Sequence, residues 1–127
     1  MHLALEFDDI DVARWLIERG ADVNARAAID AEGSASGGGG HTPLFHTVVN
    51  LAAGMGLYDD SKARLLLDQG ADPNARATFL LEARFHNRAL TEPLHDVTPV
   101  GYARRYPDRR CVNAPALAAI TERGGQE

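Results

Sequence analysis

The sequence predicts an all-α chain of about three helix-turn-helix repeats, held in one domain over 1–127 and separated by two long insertions. Three observations predict it. The phrase R-G-A-D-V-N-A-R-A at Arg19 returns as Q-G-A-D-P-N-A-R-A at Gln69. Counted back from Gly20, Gly70 and Gly124, the preceding residues agree in chemistry: Asp9, Asp59 and Asn113, then Ala13, Ala63 and Leu117, then Leu16, Leu66 and Ile120. Thr-Pro pairs at Thr42-Pro43 and Thr98-Pro99 open a further helical element ahead of the second and third of these units. Self-similarity at matched offsets marks a chain built from stacked copies of one supersecondary unit.

Each unit follows from local chemistry. Asp9, Asp59 and Asn113 are short acceptors placed to cap a helix by taking its first free N–H groups. Apolar residues then recur at helical spacing, as in Ala13, Leu16, Ile17 and Ala63, Leu66, Leu67. Gly20, Gly70 and Gly124 end the helices, since glycine enters the left-handed region without a steric penalty. Asp22, Asn24, Asp72 and Asn74 turn the chain by bonding nearby backbone. Thr42 and Thr98 are placed to cap the preceding element, with Pro43 and Pro99 in its first turn. Trp15 shares its register position with Leu65 and is expected in the core.

These units divide the chain into repeat 1 at about 1–25, which lacks its own Thr-Pro start, repeat 2 at about 41–77 and repeat 3 at about 97–124. The insertion at about 26–40 holds "AIDAEGSASGGGGH", with no hydrophobic pattern, and reads as a flexible loop. The insertion at about 78–96 carries Phe79, Leu80, Leu81, Phe85, Leu90 and Leu94. That is too much apolar surface for a disordered loop, and an ordered segment is expected.

Helix, turn, helix, then G-A-D-x-N and T-P-L is a pattern that resembles the ankyrin repeat family over nearly the whole chain. Phe45 and Gly101 stand where the family writes the His of T-P-L-H, and only His2 matches it. Gly20 to Gly70 spans 50 residues and Gly70 to Gly124 spans 54, against about 33 for the family unit. The resemblance implies a short solenoid and a structural motif made of Gly20, Asp22, Asn24, Thr42, Pro43, Gly70, Asp72, Asn74, Thr98 and Pro99.

The same resemblance implies a protein-binding module or scaffold, engaging another protein through its turn side, its insertions and its first helices. Within the second insertion, Phe79, Arg84, Phe85, His86, Asn87 and Arg88 combine the aromatic and arginine side chains in which interface hot spots are enriched. The alternative is an accessory or regulatory subunit binding a small ligand or metal there, with His86, His95 and Asp96 as the nearest donors. No cofactor is expected. No nucleophile with a base and no close ligand spacing argues for an enzyme. His41 and His46 read as residues of a helix start, and Cys111 as a structural thiol.

The net charge of -5 excludes a general electrostatic case for nucleic acid, despite Arg104, Arg105, Arg109 and Arg110. No apolar run is long enough to span a membrane. A single cysteine and an acidic, signal-free N-terminus fit a cytoplasmic protein. Leu3, Leu5, Phe7 and Trp15 leave the first repeat apolar, so self-association or contact with upstream repeats is expected at that end.

Overall fold

A computed structural model describes residues 9–27, 38–79, 94–106 and 109–127. Helix α1 (Ile10–Glu18) is followed by strand β1 (Gly38–Gly39), two one-turn helices α2 (Phe45–Val48) and α3 (Leu51–Gly54), and helix α4 (Ser61–Asp68). Strands β2 (Ala77–Phe79) and β3 (Leu94–Val97), helix α5 (Pro99–Arg105), a 3₁₀ turn (Arg109–Cys111) and helix α6 (Ala114–Glu122) complete the order.

The helices form two layers. α1 packs on α4 and α4 on α6, while α2 packs on α5 and both rest on α6. Leu44, Val48, Leu66, Val100, Ala103 and Ile120 fill the space between the layers and are almost wholly buried. The three long helices end alike. Gly20, Gly70 and Gly124 hold φ of 90°, 92° and 90°. Each glycine N–H donates three residues back, and the next residue's N–H donates five back: Ala21 to Leu16 at 3.0 Å, Ala71 to Leu66 at 2.9 Å, Gly125 to Ile120 at 2.9 Å. That is the Schellman pattern, which satisfies the last free carbonyls of a helix.

The chain is not all-α. β1, β2 and β3 form a three-stranded antiparallel sheet in that order, with Gly38 opposite Phe79, Gly39 opposite Thr78, and a register shift between Ala77 and Phe79 where β2 meets β3. Its strands are the roots of the two insertions, so the fold is mixed. Strands of two to four residues are too short to show the alternation that reveals a strand in sequence, and the glycine strand has no side chains to alternate. The flexible loop expected at 26–40 is in part this strand; its residues 28–37 lie outside the described ones.

Three local expectations also change. "HTPLFHTVVNLAAG" is two turns of helix with a break, because Val49 turns extended and bridges Val112. Thr42 is buried, and its hydroxyl makes no hydrogen bond among the described residues, so it does not cap α2. Thr98 does cap α5, accepting from Gly101 N at 3.1 Å, and its hydroxyl donates to Gln126 O. Asp9 and Asn113 cap α1 and α6, but the helix beyond Asp59 starts one residue late, and its carboxylate takes the N–H and hydroxyl of Ser61 instead. Those two bonds hold the Asp59 carboxyl below the usual range.

Candidate partner-binding surface

The repeated phrase builds the turn side. Asp22 Oδ1 accepts from Asn24 N at 2.8 Å, and Asp72 Oδ1 from Asn74 N at 2.9 Å. Each asparagine is thereby aimed at the next repeat. Asn24 Nδ2 donates to Gly70 O at 3.0 Å, and its Oδ1 accepts from Asp72 N at 2.7 Å. Asn74 does the same with Gly124 O at 3.1 Å and Gln126 N at 2.9 Å. One amide, with a donor and an acceptor side by side, matches a carbonyl and an N–H two residues apart.

Arginine adds a second rung. Arg26 Nη1 donates to Gly40 O at 2.9 Å and to Arg76 O at 2.8 Å. Arg76 Nη1 donates to Asp96 O at 2.7 Å and reaches Asp96 Oδ2 at 3.2 Å. Gly40 and Asp96 stand at the same register, two residues before Thr42 and Thr98, and both have positive φ, 79° and 52°. The turn there presents its carbonyl to the guanidinium. Glycine adopts that conformation freely and aspartate is among the few others that tolerate it. The arginines therefore fasten the roots of both insertions to the repeats.

An aromatic cluster fastens the other side of those roots. Phe79 stacks on Tyr102 with centroids 4.3 Å apart and planes 15° apart, and lies 5.5 Å from both Phe45 and His41. Tyr102 also meets Phe45 at 5.8 Å and the edge of Tyr106 at 5.7 Å. Phe45, Ala77 and Val97 are buried beneath, with Leu94 partly so. Offset and edge contacts of this kind add to the burial of the rings. Burial, with Tyr106 and Cys111 close by, pushes the Tyr102 phenol well above the usual tyrosine range.

The predicted site residues thus divide. Phe79 sits at the foot of the second insertion and is partly buried in the cluster. Arg84, Phe85, His86, Asn87 and Arg88 lie outside the described residues. Asp22, Asn24, Asp72 and Asn74 form the ladder, Gly20 and Gly70 the helix stops, and Pro99 the first turn of α5. Arg26 and Arg76 were legible as repeated letters, and only the fold gives them their work. The arginine cluster closes a helix: Arg109 Nη1 donates to Ala103 O at 2.7 Å and Arg104 O at 3.1 Å, and Arg104 pairs with Glu127 at 3.2 Å. His41 and His46 meet edge to face at 5.2 Å, and among the described residues no three His, Cys, Asp or Glu side chains are placed to share a metal.

Two apolar groups among the described residues stay open to solvent. Met55, Leu57 and Tyr58 are exposed on the loop after α3, where the Tyr58 hydroxyl donates to Arg110 O at 3.0 Å. Trp15, expected in the core, is 51% exposed, with the Arg19 guanidinium 4.3 Å over its ring. Among the described residues no helix is long and apolar enough to cross a membrane.

The ankyrin repeat family model matches residues 1–28, which cover α1 and the first G-A-D-x-N phrase. The match supports the resemblance carried by the repeated phrase. Ankyrin repeats are in general protein–protein interaction modules, a non-catalytic family. No curated protein matches the chain.

Proposed function

We propose that the chain is a protein-binding module whose partner is gripped by the second insertion, presented from the three-stranded sheet. The observation that supports this reading is the double anchoring of the insertion's roots. Arg76 holds the Asp96 turn on one side, and Phe79 stacks on Tyr102 on the other. A fixed base lowers the ordering cost that a partner would otherwise have to offset. Phe79 is the inward anchor, and Arg84, Phe85, His86, Asn87 and Arg88 supply the contact residues. The module acts as a scaffold in the cytoplasm.

The test is capture from the native host by three immobilised forms: the parent, Arg84→Ala with Arg88→Ala, and a chain in which residues 80–93 are replaced by a short glycine-serine linker. The double variant should melt with the parent and capture less, because removing a hot-spot arginine costs about 2 kcal/mol or more of binding. If both altered forms capture the same proteins as strongly as the parent does, the insertion is not the binding surface.

A further inference from the structure

The turn ladder lies where α4 and α6 end. Where they begin, two loops meet: the one that leads from α3 into α4 and the one that leads from α5 into α6. They lie close together. Tyr58 Oη donates to Arg110 O at 3.0 Å. A methyl group added at Gly54 would come within 3.2 Å of Cys111 Sγ, tighter than side chains ordinarily pack, so glycine suits this approach.

The first of these loops holds apolar groups outward. Gly56 turns it at φ 84°, with its N–H donating to Ala53 O at 2.9 Å. Ala53 is wholly buried, whereas Met55, Leu57 and Tyr58 are 67%, 56% and 47% exposed. Single apolar side chains on a surface are ordinary. Three large ones within four positions, on a loop tied to its neighbour, are the mark of an interaction surface.

The unpaired charge at this edge is positive. Arg105 and Arg109 are exposed, and neither has a carboxylate partner among the described residues. Arg109 spends its hydrogen bonds on carbonyls at the end of α5, which leaves its charge uncompensated. The carboxylates that follow Tyr58 are occupied: Asp59 takes the N–H and hydroxyl of Ser61, and Asp60 pairs with Arg64 at 2.6 Å.

We propose that this edge binds an acidic segment of another protein, with one or two large apolar side chains seated on Met55, Leu57 and Tyr58 and its carboxylates facing Arg105 and Arg109. A thioether accommodates side chains of several shapes. A lipid surface or a nucleic acid fits less well, because Asp59 and Asp60 would meet a continuous array of phosphates with like charge. A peptide with a few carboxylates can direct them to the arginines alone. The surface is separate from the second insertion and does not depend on the role given to it.

The probe is a displayed library of random peptides. It is selected on the immobilised full chain and counter-selected on the chain carrying Met55→Ser with Leu57→Ser. Peptides that discriminate the two should place Asp or Glu around one or two of Leu, Ile, Phe or Met. One of them, synthesised with a fluorescent label, then reports affinity by anisotropy. Arg105→Gln should weaken binding about fivefold at low salt, the upper end for an exposed ion pair, and less at high salt. Both altered chains should melt with the parent, since none of the three side chains is buried or hydrogen-bonded. The chain with residues 80–93 replaced by the linker should bind the peptide as the parent does, even where it fails to capture host proteins. The absence of any discriminating peptide overturns the proposal, as do discriminating peptides that are basic or uncharged, or an affinity that Arg105→Gln leaves unchanged. Retention of the chain by vesicles of an anionic phospholipid, abolished by the same substitution, would assign the edge to a membrane and overturn it too.

Discussion

Asn24 and Asn74 each carry two bonds that no other side chain of their size could make together. An aspartate in either place keeps the acceptor and loses the donor, so it would face the carbonyl of Gly70 or Gly124 with like partial charge. Asn24→Ala should cost about 1 kcal/mol, since water reaches these exposed groups and replaces part of what is lost. Asn24→Asp should cost at least as much at neutral pH and recover as acid protonates it; denaturant titrations at two pH values check both. Tyr102 gives a second pH effect with a fixed sign. Its folded pKa lies above the unfolded value of 10.0, so its contribution is intact below pH 10 and is lost as pH rises past it. Tyr102→Phe should melt close to the parent at pH 8 and lose less stability than the parent between pH 10 and 11. At this scale the sequence was informative wherever a residue was repeated: Asp, Asn, Arg and Gly recur at fixed offsets because each repeat needs the same corner. It misplaced Trp15, because register with Leu65 fixes which face a residue is on and not whether anything covers that face.

The long helices were legible because caps, apolar spacing and stop glycines all point the same way, and the structure keeps α1, α4 and α6 at the expected places. The sheet and the break between α2 and α3 were not legible, because both depend on contacts distant in sequence. Val49 leaves the helix to bridge Val112, while Asn50 N donates to Cys111 O at 3.2 Å and Asn113 N to Val48 O at 2.8 Å. The loop ahead of α6 thus stands in for the missing helical bonds. Asn50 joins the two short helices. Its Nδ2 donates to His46 O at 3.0 Å at the end of α2, and its Oδ1 accepts from Ala53 N at 2.8 Å at the start of α3. Asn50 is buried, so Asn50→Ala leaves backbone groups without water and should cost about 2 kcal/mol. Asn50→Asp should cost less if the Oδ1 cap matters most, and as much if the donated bonds do. Thermal melts of the two variants separate these roles.

Over the whole molecule, burial rises from the first repeat to the later ones. Among the described side chains, α1 fully buries Ala13, whereas α4 buries Lys62, Ala63, Leu66 and Leu67, and α6 buries Ala116, Ala119 and Ile120. Ion pairs follow the same order: Arg123 with Asp68 at 2.5 Å and Arg64 with Glu122 at 3.5 Å both join α4 to α6, though exposed pairs of this kind add little. In a row of repeats stability is approximately a sum of each unit and its neighbour contacts, so a unit with one covered face opens first. Amide exchange in α1 should therefore be faster than in α4 and α6. In urea, the change in Trp15 emission should precede the loss of total helical signal. Leu66→Ala, at the centre of the core, should cost about 2–5 kcal/mol and shift both signals together. Ala13→Gly, on the covered face of α1, should move the Trp15 transition to lower urea and leave the main transition nearly in place. If Trp15 and total helicity unfold at one midpoint in the parent and in the Ala13 variant, the molecule is a single cooperative unit and the covered face of α1 is as firmly held as the centre.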